Sequence, residues 1–190
     1  MQIRKEKREM KNIRKFLASV LLALTLCLVV SNFSTIEAQA ATKSVKKISY
    51  SSTLTSKIKN NATVVKRGTT KLKLGHQGYL RFKAPATKTY SFKFSGQTSS
   101  SGNTNNGYAY IMNPVYRSYS KKYDFNHLQF STTGGKATTA WYHTKAYADT
   151  KKTTSAFLAS RTCKLKLKKG QTVYLYMYFA NNGTINLTIK

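Results

Sequence analysis

Beyond residue 40 the chain carries two carboxylates, Asp124 and Asp149, three imidazoles, His76, His127 and His143, and one thiol, Cys163. Calcium requires several carboxylates converging on one point, and two do not suffice. Zinc requires three or four His, Cys or acidic ligands, yet no two of these residues stand at a short ligand spacing. A glycosidase needs a pair of carboxyls about 5–10 Å apart, which Asp124 and Asp149 would supply only by coincidence of folding. There is no G-x-S-x-G elbow. Cys163 with a histidine is the arrangement of a cysteine hydrolase, but it alternates in phase with Leu165 and Leu167. That phase suits a small inward-facing hydrophobe. The sequence predicts no catalytic residue, no metal and no cofactor.

Binding chemistry is better supplied. The chain has 33 Lys and Arg against 5 Asp and Glu, a net charge of +28. From Ala41 onward 26 cations face two anions. Such a field concentrates polyanions and speeds their encounter. Lys164, Lys166 and Lys168 recur at period two and place their charges on one flank of a single strand. Tyr174, Tyr176 and Tyr178 alternate with Val173, Leu175, Met177 and Phe179. With the aliphatic set turned to the core, the tyrosines point outward or lie under a covering loop. Exposed aromatics, Trp141 among them, offer stacking platforms for sugars or bases; the alternative role is cross-strand packing on an outer face. Nucleic acid held by charge alone would be bound without specificity, so no specific nucleic-acid partner is expected.

The elements that position these residues read as strands. Tyr90, Phe92 and Phe94 alternate with Ser91 and Lys93, and Ile185, Leu187 and Ile189 alternate with Asn186 and Thr188. Alternation over five to seven residues marks a half-buried strand. Shorter strands are predicted at 48–50, 63–65, 72–74, 79–82, 108–112, 128–130, 139–142 and 156–158. Lys168–Gln171 and Asn181–Gly183 each join two alternating runs at hairpin distance. Residues 97–107 (QTSSSGNTNNG) read as a mobile loop. No 12-residue stretch carries a helical stripe, and many short strands without helices mean a sandwich or barrel.

The N-terminal forty residues read as an address. Seven Lys and Arg precede an apolar run, Phe16–Val30, and Ala38-Gln39-Ala40 stands before Ala41. A basic segment, a 15-residue apolar run and an A-x-A site in that order form a secretory signal peptide. An uncut anchor would want about 20 apolar residues. Cleavage is therefore expected between Ala40 and Ala41. A start at Met10 would still leave a basic segment, MKNIRKF.

Gly78–Pro85 (GYLRFKAP) followed by Thr89-Tyr90-Ser91-Phe92, and Leu165–Leu175 (LKLKKGQTVYL) followed by Ile185–Ile189 (INLTI), resemble the opening and closing strand pairs of bacterial pre-peptidase C-terminal-like domains. The resemblance implies a jelly-roll-like β-sandwich of a kind appended to secreted enzymes for substrate or surface attachment. The chain departs from it in having Lys88-Thr89 where the family favours Gly before the tyrosine. It also lacks the acidic loops through which some relatives bind calcium.

The expected organisation is a signal-peptide helix (1–40), a linker or edge strand (41–60) and an all-β, jelly-roll-like antiparallel β-sandwich (61–190). The expected function is that of a secreted or cell-wall-associated, non-catalytic bacterial protein. Its partner is an extracellular polyanion or glycan, a cell-wall polymer or an acidic polysaccharide, bound through Tyr174, Tyr176, Tyr178, Trp141, Lys164, Lys166 and Lys168. The alternative is a secreted cationic antibacterial or membrane-active protein acting on an anionic membrane surface.

Overall fold

The computed structural model describes residues 42–100, 106–150 and 158–190. The expected signal peptide and the expected cleavage site at Ala40 and Ala41 lie outside the described residues. Thirteen strands and two short helices follow one another among those described. They are β1 (Lys43–Val45), α1 (Ser56–Asn61), β2 (Thr63–Val64), β3 (Gly68–Leu74), β4 (Gln77–Lys83), β5 (Lys88–Ser95), β6 (Asn106–Arg117), β7 (Lys122–His127), β8 (Phe130–Thr132), β9 (Gly135–Ala137), β10 (Thr139–His143), α2 (Lys145–Thr150), β11 (Ser160–Leu167), β12 (Thr172–Phe179) and β13 (Gly183–Ile189).

The strands form two sheets packed as a sandwich. One has seven strands in the order β1-β3-β13-β5-β11-β8-β9, and the other has six strands in the order β10-β6-β12-β4-β2 plus β7 paired to β6. All pairs are antiparallel except β1 with β3 and β2 with β4, which are parallel. Both parallel pairs lie at a sheet edge, where a strand needs only one neighbour. The alternating runs behave as their period requires. Tyr90, Phe92, Phe94, Cys163, Leu165, Leu167, Ile185, Leu187 and Ile189 bury toward Leu80, Phe82, Ile111, Val173, Leu175, Met177 and Phe179 of the opposite sheet. Burying one large side chain of this kind stabilises by about 1.5–3 kcal/mol.

The turns at Lys168–Gln171 and Asn181–Gly183 do not close hairpins. β11 and β13 belong to the seven-stranded sheet and β12 between them to the six-stranded one. A short turn spans the roughly 10 Å between sheets as readily as the gap between paired strands, so loop length did not distinguish the two. Each strand then pairs with a distant segment: β12 with β4 and β6, β13 with β3 and β5. The Ala84–Thr87 turn also crosses between sheets, from β4 to β5. It is tied by Tyr90, whose hydroxyl donates to the Ala86 carbonyl at 2.9 Å and accepts from its N–H at 3.1 Å.

A third layer covers the outer face of the six-stranded sheet. Ile48, Leu54, Ile58 and Ala62, with Phe125 of β7, pack on Tyr79, Met112, Tyr174 and Tyr176 in a second core. Residues 48–50, expected as a strand, belong to this cover; they are flanked by single bridges from Lys47 to Gly78 and from Thr53 to Asp124. Of 128–130, Phe130 alone enters a strand, β8. Leu158 is not in a strand, and 156–157 lie outside the described residues. The helices are six residues each, less than two turns, too short to show a stripe in sequence. The Thr55 side chain caps α1 by accepting from the Ile58 N–H at 3.3 Å.

Gly78 sits where the end of β1 and the residue after it press on β4: a Cβ there would lie 2.5 Å from the Lys46 carbonyl oxygen and 2.6 Å from a Val45 methyl. We expect Gly78→Ala to destabilise by about 1–3 kcal/mol through overpacking, measured as a lower urea midpoint.

Candidate anion-binding site

The outer face of the seven-stranded sheet is built by the polar phase of its strands. The core phase of β11 is Arg161, Cys163, Leu165 and Leu167, so Lys164 and Lys166 stand exposed on the far side. Register extends that face sideways. Lys164 lies opposite Ser91 of β5 and Ser131 of β8, and Lys166 lies opposite Thr89. Lys93 lies between Thr162 and Thr188, Lys136 opposite Ser131, Lys71 opposite Asn186 and Lys73 opposite Thr184. The face is thus a lattice of ammonium, hydroxyl and amide groups, spaced about 5 Å across strands and 7 Å along them.

Among the described residues no Asp or Glu side chain enters this lattice. Among the described residues, Asp124 pairs with Arg117 at 3.6 Å on the β6–β7 hairpin and Asp149 with Lys145 at 2.6 Å on α2. The lysine ammonium groups of the sheet therefore face solvent without an anionic partner. Two open grooves flank the short β8–β9 hairpin. One, of about 480 Å³, is lined by Thr89, Gln129, Ser131, Lys136, Lys164 and Lys166 among others. The second, of about 420 Å³, is lined by Ser131, Thr132, Thr133, Thr162 and Lys164. Lys164 and Ser131 belong to both. Such a surface can donate hydrogen bonds to anionic oxygens along its length.

The predicted site residues do not form one site. Lys164 and Lys166 are on this face. Lys168 is not: β11 ends at Leu167, and the Lys168 N–H is held by the Gln171 side chain at 3.0 Å in the turn. The tyrosines and Trp141 belong to the other sheet. Tyr174 and Tyr176 are buried beneath the third layer, so they are not platforms. The cover is residues 48–62 and β7, a contact over long sequence separation that no local pattern announced.

Tyr178 and Trp141 escape the cover. They are joined through Tyr108, whose ring centroid is 5.1 Å from Trp141 and 5.0 Å from Tyr178. The register aligns Trp141, Tyr108, Tyr178 and Gln77 in one row across four strands. Tyr108 and Tyr178 stack on each other, and each thereby spends part of a ring face on its neighbour, which is the packing role of cross-strand aromatics. In the next row Tyr176 donates to the Gln77 amide oxygen at 2.5 Å. Burial pushes the Tyr176 phenol well above its ordinary pKa and that of Tyr79 up to about 12.

Sequence reasoning missed Ser91, Lys93, Ser131, Lys136 and Tyr108. Lys93 carried a usable signal, its polar phase within the Tyr90–Phe94 run. Lys136 sits on a three-residue strand, too short for any period.

Cys163 is fully buried, and desolvation raises its thiol to about 12 despite the nearby Arg161 charge. A thiol so held is protonated at neutral pH, the opposite of an activated nucleophile. No group of three or more His, Cys, Asp or Glu among the described residues is placed to hold a metal ion.

The chain matches no family model and no curated protein. Among solved structures it is similar to the pre-peptidase C-terminal domain of collagenase from Bacillus anthracis. The TM-score is 0.35 at 15% identity, covering 68% of this chain and 94% of that one. It is likewise similar to CorA, a surface-associated copper-binding protein of Methylomicrobium album BG8, with a TM-score of 0.35 at 5% identity, covering 80% and 98%. The family whose strand pairs the sequence resembles is thus represented among these structures.

Two measurements check this chemistry. Native Cys163 should resist iodoacetamide at pH 8 and become alkylated only in denaturant, read by peptide mass spectrometry; rapid native labelling would contradict its burial. His127 stacks on Tyr110 at 4.4 Å and shares a hydrogen bond with Tyr50 at 3.1 Å, and desolvation lowers its pKa below 6.5. The folded state therefore disfavours its proton. Its contribution to stability is complete above about pH 6.5 and is lost as pH falls below that value. The melting temperature should fall between pH 7 and pH 5, and His127→Gln should reduce that fall.

Proposed function

We propose that this chain is an exported, non-catalytic binding protein whose outer seven-stranded face holds an anionic polymer, a cell-wall polymer or acidic polysaccharide carrying repeated phosphate or carboxylate groups. The observation that carries the reading is the lattice of Lys, Ser and Thr centred on Lys164, in which no described Asp or Glu side chain stands. An extended array of weak sites suits a repeating ligand better than a small molecule, because each exposed charge contact contributes only about 0.2–1 kcal/mol. The grooves beside the β8–β9 hairpin give the polymer a track at Lys136, Lys164 and Lys166. The leader supports export, and the buried thiol and the two separately paired carboxylates support a role without catalysis.

The test is retention on immobilised wall polymer, with a phosphate-rich and a carboxylate-rich polymer in separate arms and a neutral polysaccharide as control. Binding to an anionic arm should weaken as salt rises, since exposed charges are screened. The Lys136→Gln, Lys164→Gln, Lys166→Gln triple variant should lose about three- to 160-fold in affinity at low salt. Equal retention on the neutral control, or affinity indifferent to salt and to the triple variant, would sink the reading.

A further inference from the structure

The β6–β7 hairpin is an arm that runs past the sheet. β12 pairs with β6 only as far as Met112, while Asn113–Arg117 pair with β7 alone. The arm is braced on one side up to Tyr123: the Leu54 N–H donates to the Tyr123 carbonyl and the Phe125 N–H to the Ser52 carbonyl, both at 2.7 Å. Its acid is consumed internally, since Asp124 accepts from the Thr53 hydroxyl at 2.9 Å and pairs with Arg117. Beyond this brace the tip, Ser118–Lys121, turns with Lys121 at φ +52°.

The composition of that tip is unlike any other exposed part of the described chain. Tyr119 is 83% exposed, the most exposed large hydrophobic side chain described, and Tyr116 and Tyr123 are about half exposed with rings 5.1 Å apart. Lys121 and Lys122 are exposed beside them. Tyr119, and in part Tyr116 and Tyr123, forgo burial of apolar area by standing in water. Tyrosine combines an apolar ring with a polar tip, the combination that settles at the boundary between lipid headgroups and acyl chains. Lysines beside such rings are drawn to the negative surface of anionic lipid.

We propose that this arm docks on an anionic lipid bilayer, with Tyr119 inserted at the headgroup level, Tyr116 and Tyr123 flanking it, and Lys121 and Lys122 on lipid phosphates. The arm extends the six-stranded sheet, and the polymer face is on the seven-stranded sheet, so the two sites are separate. Charge and ring chemistry together select lipid over a second copy of this chain, whose own tip would bring like charges together.

The experiment uses the full chain with Tyr119→Trp in a Trp141→Phe background, which leaves residue 119 the single tryptophan. Its emission then reports the tip alone, whatever other segment contacts the vesicle. Vesicles of mixed phosphatidylglycerol and phosphatidylcholine should shift the emission to the blue, and brominated acyl chains should quench it. Vesicles of phosphatidylcholine alone should do neither at the same lipid concentration. Lys121→Gln with Lys122→Gln should raise the lipid needed for half the shift about thirtyfold, whereas Lys164→Gln should leave it unchanged. The proposal is overturned by water-exposed emission from residue 119 on vesicles that carry the protein down in sedimentation. An equal response to uncharged vesicles overturns it as well. So does a blue shift that grows with protein concentration without lipid, which would make the tip a self-association surface.

Discussion

Everything in this molecule is arranged around β12, a strand buried on both faces. Val173, Leu175, Met177 and Phe179 fill the space between the sheets, while Tyr174 and Tyr176 fill a second core on the other side. Water must be excluded from both faces, so the six-stranded sheet cannot remain the outer wall of a simple two-layer sandwich. It recruits residues 48–62 and β7 as a third layer. That recruitment brings Tyr50 over Tyr176 and His127 over Tyr110. It also braces the β6–β7 arm and leaves the Trp141–Tyr108–Tyr178 row at the rim.

Among the described residues the opposite sheet has no such cover, and its outer phase carries exposed lysines. A chain so poor in carboxylates cannot neutralise its lysines by ion pairing, and the ion pairs described among its residues, two in number, lie away from that face. The polar phase of each strand lets ammonium groups stay hydrated while the other phase is buried. Charge on one sheet and aromatic packing on the other are thus consequences of the same alternation, read on sheets with different neighbours.

Much of the fold was legible because its signal is local. The period-two runs at Tyr90–Phe94, Cys163–Leu167, Val173–Phe179 and Ile185–Ile189 are strands, with the expected residues in the core. What failed was pairing. The turns after β11 and β12 are short enough for hairpins but lead from one sheet to the other, because partner choice depends on which distant strand offers a matching edge. The site was legible in the same uneven way. Lys164 and Lys166 were readable from their phase. Lys136 and Ser131 join them through β8 and β9, three-residue strands that no period could reveal.

The sequence alone determined the β class, the inward phase of each long strand, the scarcity of acid groups and the inward position of Cys163, because these follow from residue type and spacing within a few positions. Tertiary structure alone decided that Tyr174 and Tyr176 lie covered while Lys164 lies open, although both sets point away from the sandwich core. The reason is that alternation defines only which side of a sheet a residue takes. Whether that side meets water or another layer depends on chain segments a hundred residues distant.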